Sequence, residues 1–98
     1  MKTINLFTRV GAFAENKDVA RDIRTKDILP GIIGGEEVIL DFEKIEGATQ
    51  SFIHALISDV IRRFGIDVLD KLKFKSCNET IKKIIGIVVE YMQNAIED

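Results

Sequence analysis

Apolar residues recur along this chain in two rhythms, one of period two and one close to 3.6, and their order predicts the elements. Residues 2–7 (KTINLF) alternate, with Ile4 and Leu6 on one side, and read as a short strand. Phe7, Val10 and Phe13 extend that segment past Gly11, which leaves open a hairpin partner or a loop. Asn16 is placed to cap a helix running to about Asp27, with Val19, Ala20, Ile23 and Ile28 as its thin apolar stripe. Pro30 is expected to stop it, because proline lacks an N–H and its ring clashes with the preceding turn, and Gly31, Gly34 and Gly35 form the next loop. Residues 37–42 (EVILDF) are the clearest strand, and the run Val38-Ile39-Leu40 suits a central strand covered on both faces. Thr49 or Gln50 opens a helix to about Phe64, buried through Ile53, Leu56, Ile57, Val60, Ile61 and Phe64, with Gly65 closing it. Residues 69–75 alternate again with one slip of phase, as at a bulge or a sheet edge. Ser76 and Glu79 have capping-box spacing, Asn78 is the alternative cap, and the last helix should cover about residues 79–95.

Strand–helix alternation with short connections predicts an α/β domain. Its sheet should be mixed and mostly parallel, with about three to five strands, about three helices packed on it and right-handed crossovers. A chain of 98 residues favours one domain over residues 1–98, with little area for a deep cleft. With 46% hydrophobic and 31% charged residues, it has the balance of a folded chain rather than a disordered one. A net charge of −2 gives no footprint for nucleic acid, and Arg62-Arg63 and Lys82-Lys83 read as solvated helix faces. No apolar run approaches the roughly 20 residues of a membrane span. Residues 1–11 are interrupted by charge too early for a signal peptide, so a cytoplasmic location is the expectation.

The candidate chemistry is sparse. No phosphate-binding glycine motif or zinc-protease motif occurs, and Gly34-Gly35 precedes a strand rather than a helix. The chain has 1 His and 1 Cys, His54 and Cys77, which excludes an internal disulfide and argues against a nucleophile pair or a metal centre. Glu36 and Glu37, being adjacent on a strand, should point to opposite faces. No catalysis and no cofactor are expected.

Two features carry more content. Small and hydroxyl residues, Gly47, Ala48, Thr49 and Ser51, stand with Gln50 where a helix begins, and its free N–H groups and positive end favour anionic groups. Ser51 falls opposite the buried stripe, so its hydroxyl should reach solvent, and a phosphate there would change the charge of anything docking. His54 lies about 110° from the stripe's centre, at the boundary of core and solvent. In the last helix, Ile81, Ile84, Ile85, Val88, Met92 and Ala95 form one stripe, which Ile87, Val89, Tyr91 and Ile96 widen to an arc of about 200°. The excess suggests burial against something further, with Ile87, Val89 and Tyr91 as a self-association face for a homodimer.

The run VILDFEKIEGATQSFIHAL, Val38 to Leu56, resembles the central segment of STAS-type domains (sulphate transporter and anti-sigma-factor antagonist). It is more similar to the STAS-like family of unknown function, whose pattern falls here on Gly11-Ala12-Phe13, Asp41-Phe42, Ser51-Phe52 and Cys77-Asn78, so that the resemblance covers about Gly11 to Met92. The resemblance implies a small sheet with helices packed on it and a non-catalytic regulatory role. The implied partner is a protein, a kinase-like ATPase that phosphorylates a serine at the position of Ser51. The chain departs from the antagonist pattern at Thr49, Gln50 and Phe52, where aspartate, serine and glycine are usual, and it has Ile53 and His54 where STAS-like members often carry acidic residues. A bulky Phe52 should alter how closely a partner's backbone approaches. The alternative reading is a small-ligand crevice at the carboxyl ends of the strands, lined by Asp41, Thr49, Ser51 and Asn78.

Overall fold

A computed structural model describes residues 1–97, with side chains described as far as residue 94. Strands β1 (Lys2–Asn5), β3 (Val38–Asp41) and β5 (Leu72–Lys75) form one parallel sheet in the order β1-β3-β5. Strands β2 (Phe13–Ala14) and β4 (Gly47–Ala48) form a second, two-stranded parallel sheet. A single turn α1 (Phe7–Val10) follows β1, and the long helices α4 (Gln50–Phe64) and α5 (Glu79–Glu97) pack on one another. The remaining helix is composite: α2 (Lys17–Ile23), a π segment Arg24–Ile28, and α3 (Leu29–Ile33). The architecture is therefore α/β, as its hydrophobic rhythm predicts, with every pairing parallel rather than mixed.

Several local expectations hold. Asn16 Oδ1 accepts from the N–H groups of Asp18 and Val19, which caps α2. Gly65 ends α4 with φ of +82°, a value only glycine adopts without strain. The slip of phase before β5 is a 3-10 turn over Ile66–Asp70, and β5 lies at the sheet edge.

Three expectations are corrected. Pro30 does not stop the helix. The wider π turn before it, closed by Leu29 N–H donating to Arg24 O, relieves the clash a proline makes with a regular preceding turn, and Pro30 enters the first turn of α3. Gly31 is thus helical, and its missing side chain matters: a Cβ there would lie 2.7 Å from Val38 Cγ2. The segment after β1 is neither hairpin nor loop, since it makes a turn of helix and then a short strand paired in parallel with β4. The central strand is covered on one face only. Ile4, Val38, Leu40 and Leu72 are buried, while Thr3 and Lys73, the neighbours of Ile39, are exposed and Ile39 is half-buried. Successive strand residues point to opposite faces, and only one face carries helices.

The core joins the covered sheet face to Ile23, Ile28, Phe42, Phe52, Leu56, Ile57, Ile61 and Ile81, all at most 1% exposed. In α5 the inner stripe is Ile81, Ile85, Val88 and Met92, and the side chains of Ala95 and Ile96 lie outside the described residues.

Candidate functional site

The start of α4 is built by its neighbours. Glu46 and Gly47 N–H groups both donate to Ala12 O, and Thr49 N–H donates to Ala14 O, so the chain enters the helix along β2. Gly47 is buried beneath Phe13, whose ring a Cβ at that position would meet at 3.0 Å. Thr49 is extended, and its hydroxyl oxygen accepts from Phe52 N–H at 3.1 Å, a helix cap. The hydroxyl of Ser51, two residues on, is exposed and makes no hydrogen bond among the described residues. Phe52 turns into the core at the position where a glycine would leave room.

Burial of Phe52, Ile53, Leu56, Ile57, Val60 and Ile61 fixes the rotation of α4, while Phe64, expected in the same stripe, is exposed at the helix end. The opposite stripe faces the composite helix across a groove of about 620 Å³. From α4 the groove is lined by Gln50, Ser51, His54, Ser58, Asp59 and Arg62, and from the composite helix by Lys17, Arg21 and Arg24. Both helices return the chain between parallel strands, so they run in the same direction and bring their N-terminal ends, Lys17 and Gln50, together.

His54 is half-buried and lies between two partners. Its Nδ1 shares a hydrogen bond with Ser58 Oγ at 3.3 Å, and its ring stands 6.2 Å from that of Tyr91. The His54–Ser58 pair has the spacing of a base and a nucleophile, but Ser58 is 4% exposed and its hydroxyl is not presented to a substrate. Arg24 is the anchor of the groove: its Nη1 donates to Ala55 O at 2.9 Å, and its Nε is buried without a hydrogen-bond partner, 4.0 Å from Asp59 Oδ2.

Gln50, Ser51 and His54 meet in this groove, while Thr49 is committed to the cap and Gly47 to packing. Asp41 and Asn78 stand apart from it. Asp41 is 7% exposed and accepts from Glu43 N–H at 2.9 Å. Asn78 Oδ1 accepts from Ile81 N–H, capping α5, while its Nδ2 donates to Ile45 O and Glu46 O. On α5, Ile87 and Tyr91 are exposed on one side, whereas Val89 turns to a second hollow of about 560 Å³ beside β5, with Phe74, Cys77 and Ile85. Burial pushes the Cys77 thiol above its ordinary pKa, against the opposing pull of Lys82.

Reading the sequence alone missed Lys17, Arg21 and Arg24. Their signal was present: at i, i+4 and i+7 they fall within an arc of about 60° of one helix face. The sequence pattern marks Arg62 only as part of a solvated face and gives no signal for Ser58 or Asp59. Among the described residues no group of three or more His, Cys, Asp or Glu side chains could hold a metal ion. No helix among them is long and apolar enough to cross a membrane.

A family model described as a STAS-like domain of unknown function (DUF4325) matches residues 22–82. The match takes in Asp41-Phe42, Ser51-Phe52 and Cys77-Asn78, all of α4 and the first turn of α5, and leaves Gly11-Ala12-Phe13 outside. No curated protein and no solved structure matches the chain.

Proposed function

The chain belongs to the family of STAS-like domains of unknown function, and on that premise we propose that it is a non-catalytic regulatory module that binds a protein partner through the outer surface of α4. Ser51 is the modification point of that surface, and a kinase-like ATPase is the partner that would phosphorylate it. The observation that carries the reading is the division of labour at the helix start. Thr49 alone makes the cap, which leaves Ser51 exposed, without a structural bond among the described residues, on the rim of the groove. A phosphate at Ser51 sits in the first turn of a 15-residue helix, where the N–H groups and the dipole stabilise negative charge. The non-catalytic part is supported by the burial of Ser58 beside His54 and by the protonated state that burial favours for Cys77. Asp41 is engaged in its own turn and Asn78 in the cap of α5 and the carbonyls of Ile45 and Glu46, so no observation favours the small-ligand crevice.

The test is to incubate the full chain with a kinase-like ATPase of this type and magnesium ATP. Complex formation is followed by size-exclusion chromatography, and phosphate is located by mass spectrometry. The expected result is a complex and one phosphate on Ser51 that Ser51→Ala abolishes. Phosphate on another residue, or the absence of a complex, overturns the reading.

A further inference from the structure

We propose that the groove between the composite helix and α4 receives an acidic segment of the partner protein in an extended conformation. The proposal rests on the protein-interaction reading above and adds to it the chemistry of the partner. Its basis is an excess of positive charge in a chain whose net charge is −2. Lys17, Arg21, Arg24 and Arg62 line the groove against one carboxylate, Asp59.

That carboxylate is oversubscribed. Arg24 Nε lies 4.0 Å from it, Arg62 Nη1 3.2 Å and Arg63 Nε 3.9 Å. Arg21 reaches only Asp18, at 3.8 Å on the open surface, and Lys17 pairs with no carboxylate among the described residues. The most telling group is the Arg24 guanidinium. It is fixed by the bond from its Nη1 to Ala55 O, and its Nε is buried without an acceptor, so that edge is closed to a partner. The rest of the side chain, 19% exposed, keeps its charge at the groove, and a fixed guanidinium loses little freedom on meeting a carboxylate.

Length and lining select the occupant. Because the two helices run in the same direction, Lys17 marks one end of the groove and Arg62 the other, and Ser51 to Arg62 spans about 17 Å of helix. One phosphate ion cannot reach both ends, whereas about five residues of extended chain can. Gln50, Ser51 and His54 offer hydrogen bonds to a peptide backbone. A polyphosphate chain carries only acceptors, so it would leave the acceptor groups of Gln50, Ser51 and His54 unmatched, whereas an acidic peptide brings backbone N–H groups as well as carboxylates.

The probe is fluorescently labelled hexaglutamate, titrated with the full chain at low ionic strength and read by anisotropy. Saturable binding is expected, falling about tenfold when salt is raised to about 0.5 M. The double variant Lys17→Glu/Arg21→Glu, both on exposed side chains, should weaken it about tenfold. Lys73→Glu/Lys75→Glu, which makes the same change in net charge on β5, should weaken it less than about twofold. Circular dichroism verifies that both variants fold. The proposal is overturned by no binding at low salt, by equal losses in the two double variants, or by full displacement of the probe by millimolar inorganic phosphate. Tighter binding of a single-stranded oligonucleotide than of hexaglutamate overturns it in favour of nucleic acid. An ATPase complex that forms equally well with Lys17→Glu/Arg21→Glu overturns the acidic-segment proposal while the interaction reading stands. Groove-specific hexaglutamate binding without any ATPase complex supports the acidic segment and removes the kinase-like partner.

Discussion

The side-chain amide of Asn78 donates to Glu46 O at 3.0 Å, tying the first turn of α5 to the β3–β4 connection that leads into α4. The same side chain accepts from Ile81 N–H at 2.9 Å, so one residue caps a helix and clamps a distant turn. Asn78→Ala removes both and should cost about 2 kcal/mol, which in a domain of this size lowers Tm by about 10 °C. Asn78→Asp keeps the capping oxygen and loses the donor, so its midpoint should fall between the two. Thermal denaturation of the three proteins checks the order.

Gly31 and Val38 are held closer than any side chain permits. A Cβ on Gly31 would lie 2.7 Å from Cγ2 of Val38, a stiff β-branched residue with no exposure. Gly31→Ala should therefore destabilise by about 1–2 kcal/mol, although alanine favours a helix interior over glycine by up to about 1 kcal/mol. In a cycle with Val38→Ala, the double variant should be about 1 kcal/mol more stable than the sum of the single changes, because the cavity takes the added methyl. Urea denaturation measures all four corners.

What was legible in the sequence was local. Asn16, Thr49 and Gly65 act at helix ends through bonds a few residues long, and the 3.6 rhythm of α4 fixed which side of it faces out. Pro30 misled because a π turn, set by packing, relaxes a clash that a regular helix would suffer. Ile39 misled because its apolar side chain sits half-buried on the open face of the sheet. The groove was half legible: Ser51, Gln50 and His54 followed from one helix wheel, whereas Lys17, Arg21 and Arg24 joined them only through the side-by-side placement of two helices. Sequence rhythm does not encode that placement.

Thr49 and Ser51 should separate cleanly in stability. Thr49→Ala loses a cap and should cost about 1 kcal/mol, and Thr49→Asn should recover most of it. Ser51→Ala, on an exposed side chain, should stay within about 0.5 kcal/mol of the parent. A loss at Ser51 as large as that at Thr49 would mean that its hydroxyl holds the fold rather than facing a partner. Chemical denaturation midpoints decide between them.

Cys77 should react slowly for a cysteine. Burial raises its pKa, so near neutral pH a smaller fraction is thiolate than in a free cysteine, and the alkylation rate should keep climbing with pH beyond the range where a free thiol levels off. Lys82 opposes the burial, so Lys82→Gln should raise the pKa further and slow alkylation again. Iodoacetamide rates across pH on the folded chain, with the urea-unfolded chain as reference, test both signs. A folded chain alkylated as fast as the unfolded one at neutral pH would contradict the burial.

Asp59→Asn separates the structural from the binding role of the groove. Asp59 is the shared partner of Arg24, Arg62 and Arg63, all at 3.2 Å or more, and its side chain is 31% exposed. Half-exposed pairs of that length contribute little, so the variant should lose less than about 1 kcal/mol of stability. Its amide leaves the groove one negative charge poorer and frees the guanidinium groups of Arg24 and Arg62, which line it, to meet an incoming carboxylate. Hexaglutamate should then bind about twofold to fivefold tighter at low salt, with the gain vanishing as salt is raised. If Asp59 only organised the arginines, its loss would lower stability and affinity together. Opposite changes in the denaturation midpoint and the anisotropy titration identify it as the carboxylate that an acidic segment displaces.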